Sequence, residues 1–143
     1  MAERLAQARF PARADQLQQM RHVVRQALAG RCCEPEELDR VVLAVNEACT
    51  NVIQHAYGPG RAGDIILDIQ IDRDELIFRL TDFAEPVEES AIRSRDLSDI
   101  RPGGLGVHLI REVMDAAGFV PPPQGAGNVL EMRKRIQPAG EGA

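Results

Sequence analysis

Three groups of residues in this 143-residue chain have types and spacings that could do chemistry. Glu47, Asn51 and His55 stand at i, i+4 and i+8, which stacks a carboxylate, an amide and an imidazole along one face of a helix. That face lies roughly opposite an apolar stripe of Leu38, Val42, Val45 and Cys49, where an amphipathic helix ordinarily meets solvent. Leu43 and Ala48 lie off the stripe, so the helix is also open to cover on a second side, and its polar line then faces a cleft. Gly103, Gly104 and Gly106 precede or open a helical pattern, where free backbone N–H groups and the helix dipole favour an anion; a plain hinge would use the same glycines. Asp82 ends a strand-like run containing Ile77, Phe78 and Leu80. A carboxylate there can accept from an exocyclic amine, although aspartates at strand ends are common.

The elements that must position these groups follow from periodicity and punctuation. Leu5 to Phe10 alternates as a short strand closed by Pro11. Leu17, Met20, Val23, Val24 and Leu28 mark a first helix over 14–29, with Gly30 as its stop. A second helix starts near Pro35, with Glu36 and Glu37 at the positive end of its dipole, and ends before Gly58-Pro59-Gly60. Residues 64–71 and 75–81 read as a hairpin turning at Asp72-Arg73-Asp74. A charged, Ser-rich stretch over 83–102 has the length of a functional lid or a disordered loop. The glycine-led helix is expected to run to about Ala117, Pro121-Pro122-Pro123 breaks the pattern, and 128–136 alternates as a last strand. The expected fold class is α+β, a single-layer, mixed but mostly antiparallel sheet with helices packed on one face. Residues 1–137 form one domain in this reading, and 138–143 a flexible tail.

Composition excludes several classes of function. Seventeen Lys and Arg against 22 Asp and Glu give a net charge of −5, which argues against a domain built to grip a nucleic-acid backbone. Trp is absent and aromatics make up 3%, so an aromatic platform for single strands is not expected. The three cysteines, Cys32, Cys33 and Cys49, and the three histidines show neither a disulfide framework nor zinc spacing. No apolar run reaches bilayer length and the start lacks a secretory pattern, so no membrane association and a reducing cytoplasm are expected. Gly58-Pro59-Gly60-Arg61-Ala62-Gly63 matches G-x-G-x-x-G but sits between a helix and a strand, the wrong context for dinucleotide binding. A P-loop motif is missing.

Taken in order, the helix Glu-x-x-x-Asn-x-x-x-His-Ala-Tyr, the strand-end Asp, a long lid and Gly-Gly-Leu-Gly opening a helix resemble the GHKL (Bergerat) ATP-binding fold. Within it, residues 47–57, 103–115 and 127–135 are most similar to the N-box, glycine box and closing strand of the RsbW-like anti-sigma-factor serine kinases. The resemblance runs from about Phe10 to Ile136. It implies ATP and Mg²⁺ as cofactors, with Asn51 as the Mg²⁺ ligand and Glu47 as the base for the attacking hydroxyl. An amide oxygen is a hard neutral donor suited to Mg²⁺, and Glu47 lies one turn away. It also implies an ATP-binding set of Asn51, His55, Asp82, Ala84, Gly103, Gly104, Leu105, Gly106, Val107 and Asn128. In that set Asp82 accepts from the adenine amine, the glycine loop wraps the phosphates and 83–102 is the lid.

The implied partners are a sigma factor, which the kinase sequesters, and an anti-sigma-factor antagonist whose serine it phosphorylates. The implied assembly is a homodimer, with no direct contact to nucleic acid. The sequence departs from the family at Ala84, where Asp-x-Gly is usual; a methyl there penalises a positive φ if one is required. A module that regulates a partner by binding alone is therefore an alternative. The catalytic half of a histidine kinase is another, but the short N-terminal segment is not expected to hold a dimerising phosphoacceptor hairpin, and His22 lies on a helix without one. Arg21 and Arg25, beside the apolar positions of the first helix, are candidates for a protein-docking surface.

Overall fold

The computed structural model describes residues 2–31, 34–54, 63–84 and 105–136. His55, Gly103, Gly104, all but the first two residues of the expected lid, and the tail lie outside them. Strand β1 spans Glu3–Pro11, helix α1 Leu17–Leu28, helix α2 Pro35–Val52, strands β2 and β3 Asp64–Asp72 and Glu75–Asp82, helix α3 Leu105–Val113, and strands β4 and β5 Ala116–Val120 and Asn128–Arg135. The described strands form one sheet in the order β1-β2-β3-β5-β4. Every neighbouring pair in it is antiparallel. The expected α+β class holds, with a purely antiparallel sheet in place of a mixed one.

Local chemistry explains most boundaries. Gly30 stops α1 at φ +70, a conformation that costs a residue without Cβ little. Pro35 occupies the first turn of α2, where its missing N–H is no loss, and Glu36 and Glu37 follow. Arg73 takes φ 59 in the two-residue loop between Asp72 and Glu75, which are paired across the hairpin. Leu5 is an extra residue in β1, where the register slips between Arg4 and Ala6.

Alternation along the strands assigns two faces. The face under the helices carries Ile65, Leu67 and Ile69 of β2, Leu76, Phe78 and Leu80 of β3, and Leu130 and Met132 of β5, all buried. Met20, Val24 and Leu28 of α1 and Val41, Val42, Val45 and Cys49 of α2 close the same core. Each such side chain stabilises the fold by about 1.5–3 kcal/mol relative to exposure. The opposite face carries the buried Ile77 and Val129 and is laced with ion pairs. Arg79 and Arg133 both bind Glu131, at 2.9 and 2.8 Å, and Arg133 also binds Glu75 at 2.7 Å. Burial pushes the Glu131 carboxyl up, but the two guanidinium groups outweigh it and hold the group below its ordinary value.

One expected element is corrected. The third helix ends at Val113, and Ala116–Val120 is an edge strand on β5. The chain turns because Asp115 is tied to β5 twice: its N–H donates to the Arg133 carbonyl, and its carboxylate accepts from the Arg135 N–H. Lys134 Nζ donates to the Val113 carbonyl at 3.1 Å, satisfying one of the free carbonyls at the helix end. Among the described residues no helix is long and apolar enough to cross a membrane.

Candidate functional site

Helix α2 buries a broader arc than the apolar stripe alone. Val41, Ala44 and Ala48 join the core, whereas Leu43 remains 48% exposed. The wider arc brings Asn51 to its border, so Glu47 and Asn51 flank the core and are both half-buried. Of the two off-stripe residues, Ala48 is covered and Leu43 is not. Asn51 Nδ2 is buried and has no hydrogen-bond partner among the described residues. An orphaned buried amide costs about 1–3 kcal/mol, so it calls for a ligand. The oxygen and nitrogen of a primary amide exchange places on a half-turn. Asn51 can thus offer a donor to a phosphate oxygen or a hard acceptor to Mg²⁺, and the residue fits both expected groups.

The second half of the site is at the end of β3. Across the helix-side row, Phe10 faces Ile65, Ile65 faces Asp82 and Asp82 faces Asn128. Two apolar neighbours are followed by two polar ones, 3% and 5% exposed, at positions that the rest of the strands fill with Leu, Phe and Met. Asp82 Oδ1 accepts from Asn128 Nδ2 at 2.9 Å and from the Ala84 N–H at 3.0 Å. Burial raises the Asp82 carboxyl above its ordinary value, and those two hydrogen bonds pull part of the way back. A carboxylate kept in such surroundings is a candidate for function rather than for packing.

Ala84 is placed without strain. Among the described residues Arg73 is the one non-glycine with a positive φ, so the methyl at 84 meets no left-handed backbone. The penalty that favoured a binding-only module is absent.

Gly127 is the residue that sequence reasoning missed. Its N–H donates to the Asp82 carbonyl at 2.8 Å. A Cβ at 127 would sit 2.0 Å from the Ala84 carbonyl oxygen. Only a residue without a side chain lets the 82–84 segment close on β5; the signal was a glycine immediately before a strand. Gly127→Ala should cost about 1–3 kcal/mol of stability by forcing that backbone apart. It should also weaken nucleotide binding, by loosening the Ala84 bond to Asp82. Thermal melting and a nucleotide titration on one preparation check both, and an unchanged variant would show that the segment yields freely.

Leu105, Gly106 and Val107 form the first turn of α3. The structure joins Asp82, Ala84, Gly127 and Asn128 in one network and sets Glu47 and Asn51 one turn apart on α2. No described hydrogen bond links the two groups. Arg21 and Arg25 are engaged within the chain: Arg21 Nη1 donates to Asn46 Oδ1 at 2.8 Å, and Arg25 pairs with Asp39 at 2.7 Å. They tie α1 to α2. Cys49 is a buried free thiol pushed up to about 12 by burial, so it stays neutral and inert.

The fold and this site define a GHKL-type ATPase domain. Residues 10–134 match the histidine kinase-like ATPase domain family, and the chain belongs to that family. It is 34% identical over 110 residues to serine-protein kinase RsbW of Halalkalibacterium halodurans, a match covering 71% of this chain and 65% of that one. It is also 30% identical over 83 residues to serine/threonine-protein kinase BtrW of Bordetella bronchiseptica, covering 55% and 58%. The chain therefore spans less than two thirds of the length of these relatives. A chain in the crystal structure of the SiaB–SiaC complex from Pseudomonas aeruginosa shares the fold, with a TM-score of 0.56 at 17% identity over 94% of this chain and 91% of that one.

Proposed function

We propose that this chain is an ATP-dependent serine protein kinase that phosphorylates an anti-sigma-factor antagonist and sequesters a sigma factor, working as a cytoplasmic homodimer. The observation that carries the nucleotide reading is the buried Asp82 carboxylate, held on one oxygen by Asn128 and Ala84. Its second oxygen is then the acceptor for the exocyclic amine of adenine. Family membership and the kinase relatives support the serine-kinase reading.

In this reading Glu47 takes the proton from the acceptor serine hydroxyl. The serine oxygen then bonds to the γ-phosphorus of ATP as the bond to the bridging oxygen breaks and ADP leaves. Asn51 holds Mg²⁺, which when bound neutralises charge on the phosphates. The segment 103–106 supplies backbone N–H groups to the same phosphates at the start of α3. The family resemblance adds His55 to the ATP-binding set. The protein's own work is positioning, which suits a site with one base and one amide ligand.

Calorimetric titration with ATP, with and without EDTA, tests this function. Heat at millimolar Mg-ATP that EDTA diminishes is the expected result. Asn51→Ala should lose the EDTA-sensitive part of the affinity and, with it, transfer to a serine. Wild-type protein that gives no heat would remove the kinase and leave a binding-only regulator.

A further inference from the structure

We propose that Lys134 is a positioning residue for the phosphates of ATP: by tying the finishing end of α3 to the starting end of α2, it sets the distance between the start of α3 and the Asn51 amide. This role rests on the reading that 103–106 and Asn51 hold the phosphates and Mg²⁺ from two sides. Lys134 stands opposite the fully buried Leu76, on the helix-side row that β5 fills with Leu130 and Met132 and that Ile136 continues. Its side chain is only 14% exposed. A charge withdrawn from water is costly unless it is paired, and a leucine would fill the row without that cost. Packing alone gives no reason for a lysine there.

The ammonium joins three elements. Lys134 Nζ donates to the carbonyl of Val113, the last residue of α3, and pairs with Glu37 Oε1 in the first turn of α2, each at 3.1 Å. Each charge thereby sits at the helix end whose dipole favours it. A looser pair, Arg40 with Glu112 at 3.9 Å, adds a second tie alongside. The end of α3 is therefore held against the beginning of α2, and the two helices, which pack on each other, run in opposite directions. At a rise of about 1.5 Å per residue, Val113 to Leu105 covers about 12 Å and Glu37 to Asn51 about 21 Å. The start of α3 thus lies beside the half of α2 that carries Glu47 and Asn51. A helix of 9 residues moves as a rod, so a shift at its clamped end is carried to the other. Phosphates held between two supports lose part of one when the spacing changes by about 1 Å. The Asp115 bonds to β5 hold the chain after the helix without Lys134, so its removal loosens the helix and leaves the sheet closed.

Lys134→Met keeps the unbranched stem and loses the ammonium; Glu37→Gln, at a half-exposed site, serves if the methionine variant does not fold. The full chain is titrated with Mg-ATP and with adenosine, which keeps the adenine contact at Asp82 and has no phosphates. Lys134→Met should bind Mg-ATP about tenfold more weakly, the scale of one charge-assisted hydrogen bond, and adenosine within about twofold of wild type. Lys134→Arg, whose forked donors can serve both partners, should recover most of the Mg-ATP affinity. In the Lys134→Met background, Glu37→Gln should add almost nothing to the loss. Equal weakening of both ligands, weakening of neither, or additive losses, in a chain whose wild type prefers Mg-ATP to adenosine, would overturn the role of Lys134 alone. Wild-type protein that binds adenosine as tightly as Mg-ATP would overturn the phosphate reading and the role with it. Wild-type protein that binds neither would overturn the nucleotide function itself.

Discussion

Glu47→Ala should bind Mg-ATP as wild type does and transfer its γ-phosphate about 10²–10⁴-fold more slowly, the range for losing a positioned general base. The separation is expected because the groups that hold the ground state stay in place. Asn51 keeps its position on the border of the core, and Asp82 keeps both hydrogen bonds at the far end of the sheet. Glu47 is half-buried on a helix turn whose inward neighbours, Ala44 and Ala48, are already small and fully buried. Truncation there opens no core cavity, so the melting temperature should hardly change. Label transfer from γ-labelled ATP to an antagonist serine, beside calorimetry on the same protein, reads both quantities. Under the proposed function, binding to a sigma factor should persist, because it does not use the proton-abstracting group. Undiminished labelling by Glu47→Ala would leave the kinase standing and take Glu47 out of its mechanism.

The contrast between α2 and β4 shows which parts of this fold were legible in the sequence. Helix α2 is written locally: Pro35, two acidic residues and a sustained stripe fix its start, its dipole complement and its buried side. Strand β4 is not. Ile110, Val113, Met114 and Ala117 are all buried at i, i+3, i+4 and i+7, a spacing that continues the helix on paper. What ends the helix is non-local, since the Val113 carbonyl and Asp115 are bonded to Lys134 and Arg135 of β5, about 20 residues along the chain. The site divides the same way. Asp82 and the Glu47–Asn51 pair stand out by type and spacing. Gly127 does not, because its role is a backbone contact with Ala84, 43 residues earlier. The engagement of Arg21 by Asn46 was equally invisible, because an amphipathic helix does not announce which neighbour its polar flank will meet.

Asp82→Asn should move stability and nucleotide affinity in opposite directions. The carboxyl is raised above its ordinary value by burial, so the folded protein holds the proton more tightly than the unfolded chain does. Its contribution to stability is complete below the ordinary carboxylate range and is lost as pH rises through the folded-state pKa. A neutral amide keeps that contribution at every pH. The variant should therefore melt at least as high as wild type at neutral pH, and the difference should vanish on acidification. Binding should go the other way. The donors from Asn128 and Ala84 converge on one oxygen, and in the variant that oxygen has to be the amide's own. The NH₂ is then forced into the place of Oδ2, so a donor faces the adenine amine, itself a donor. A loss of ATP affinity of about 10–100-fold follows from one such mismatch at a buried polar contact. Guanine presents an acceptor at the corresponding position, so the ratio of ATP to GTP affinity should shrink by more than the ATP loss alone accounts for. Melting curves across pH and paired titrations with the two nucleotides read the effect. A variant that keeps its ATP affinity and its preference over GTP would show that adenine is recognised somewhere other than Asp82.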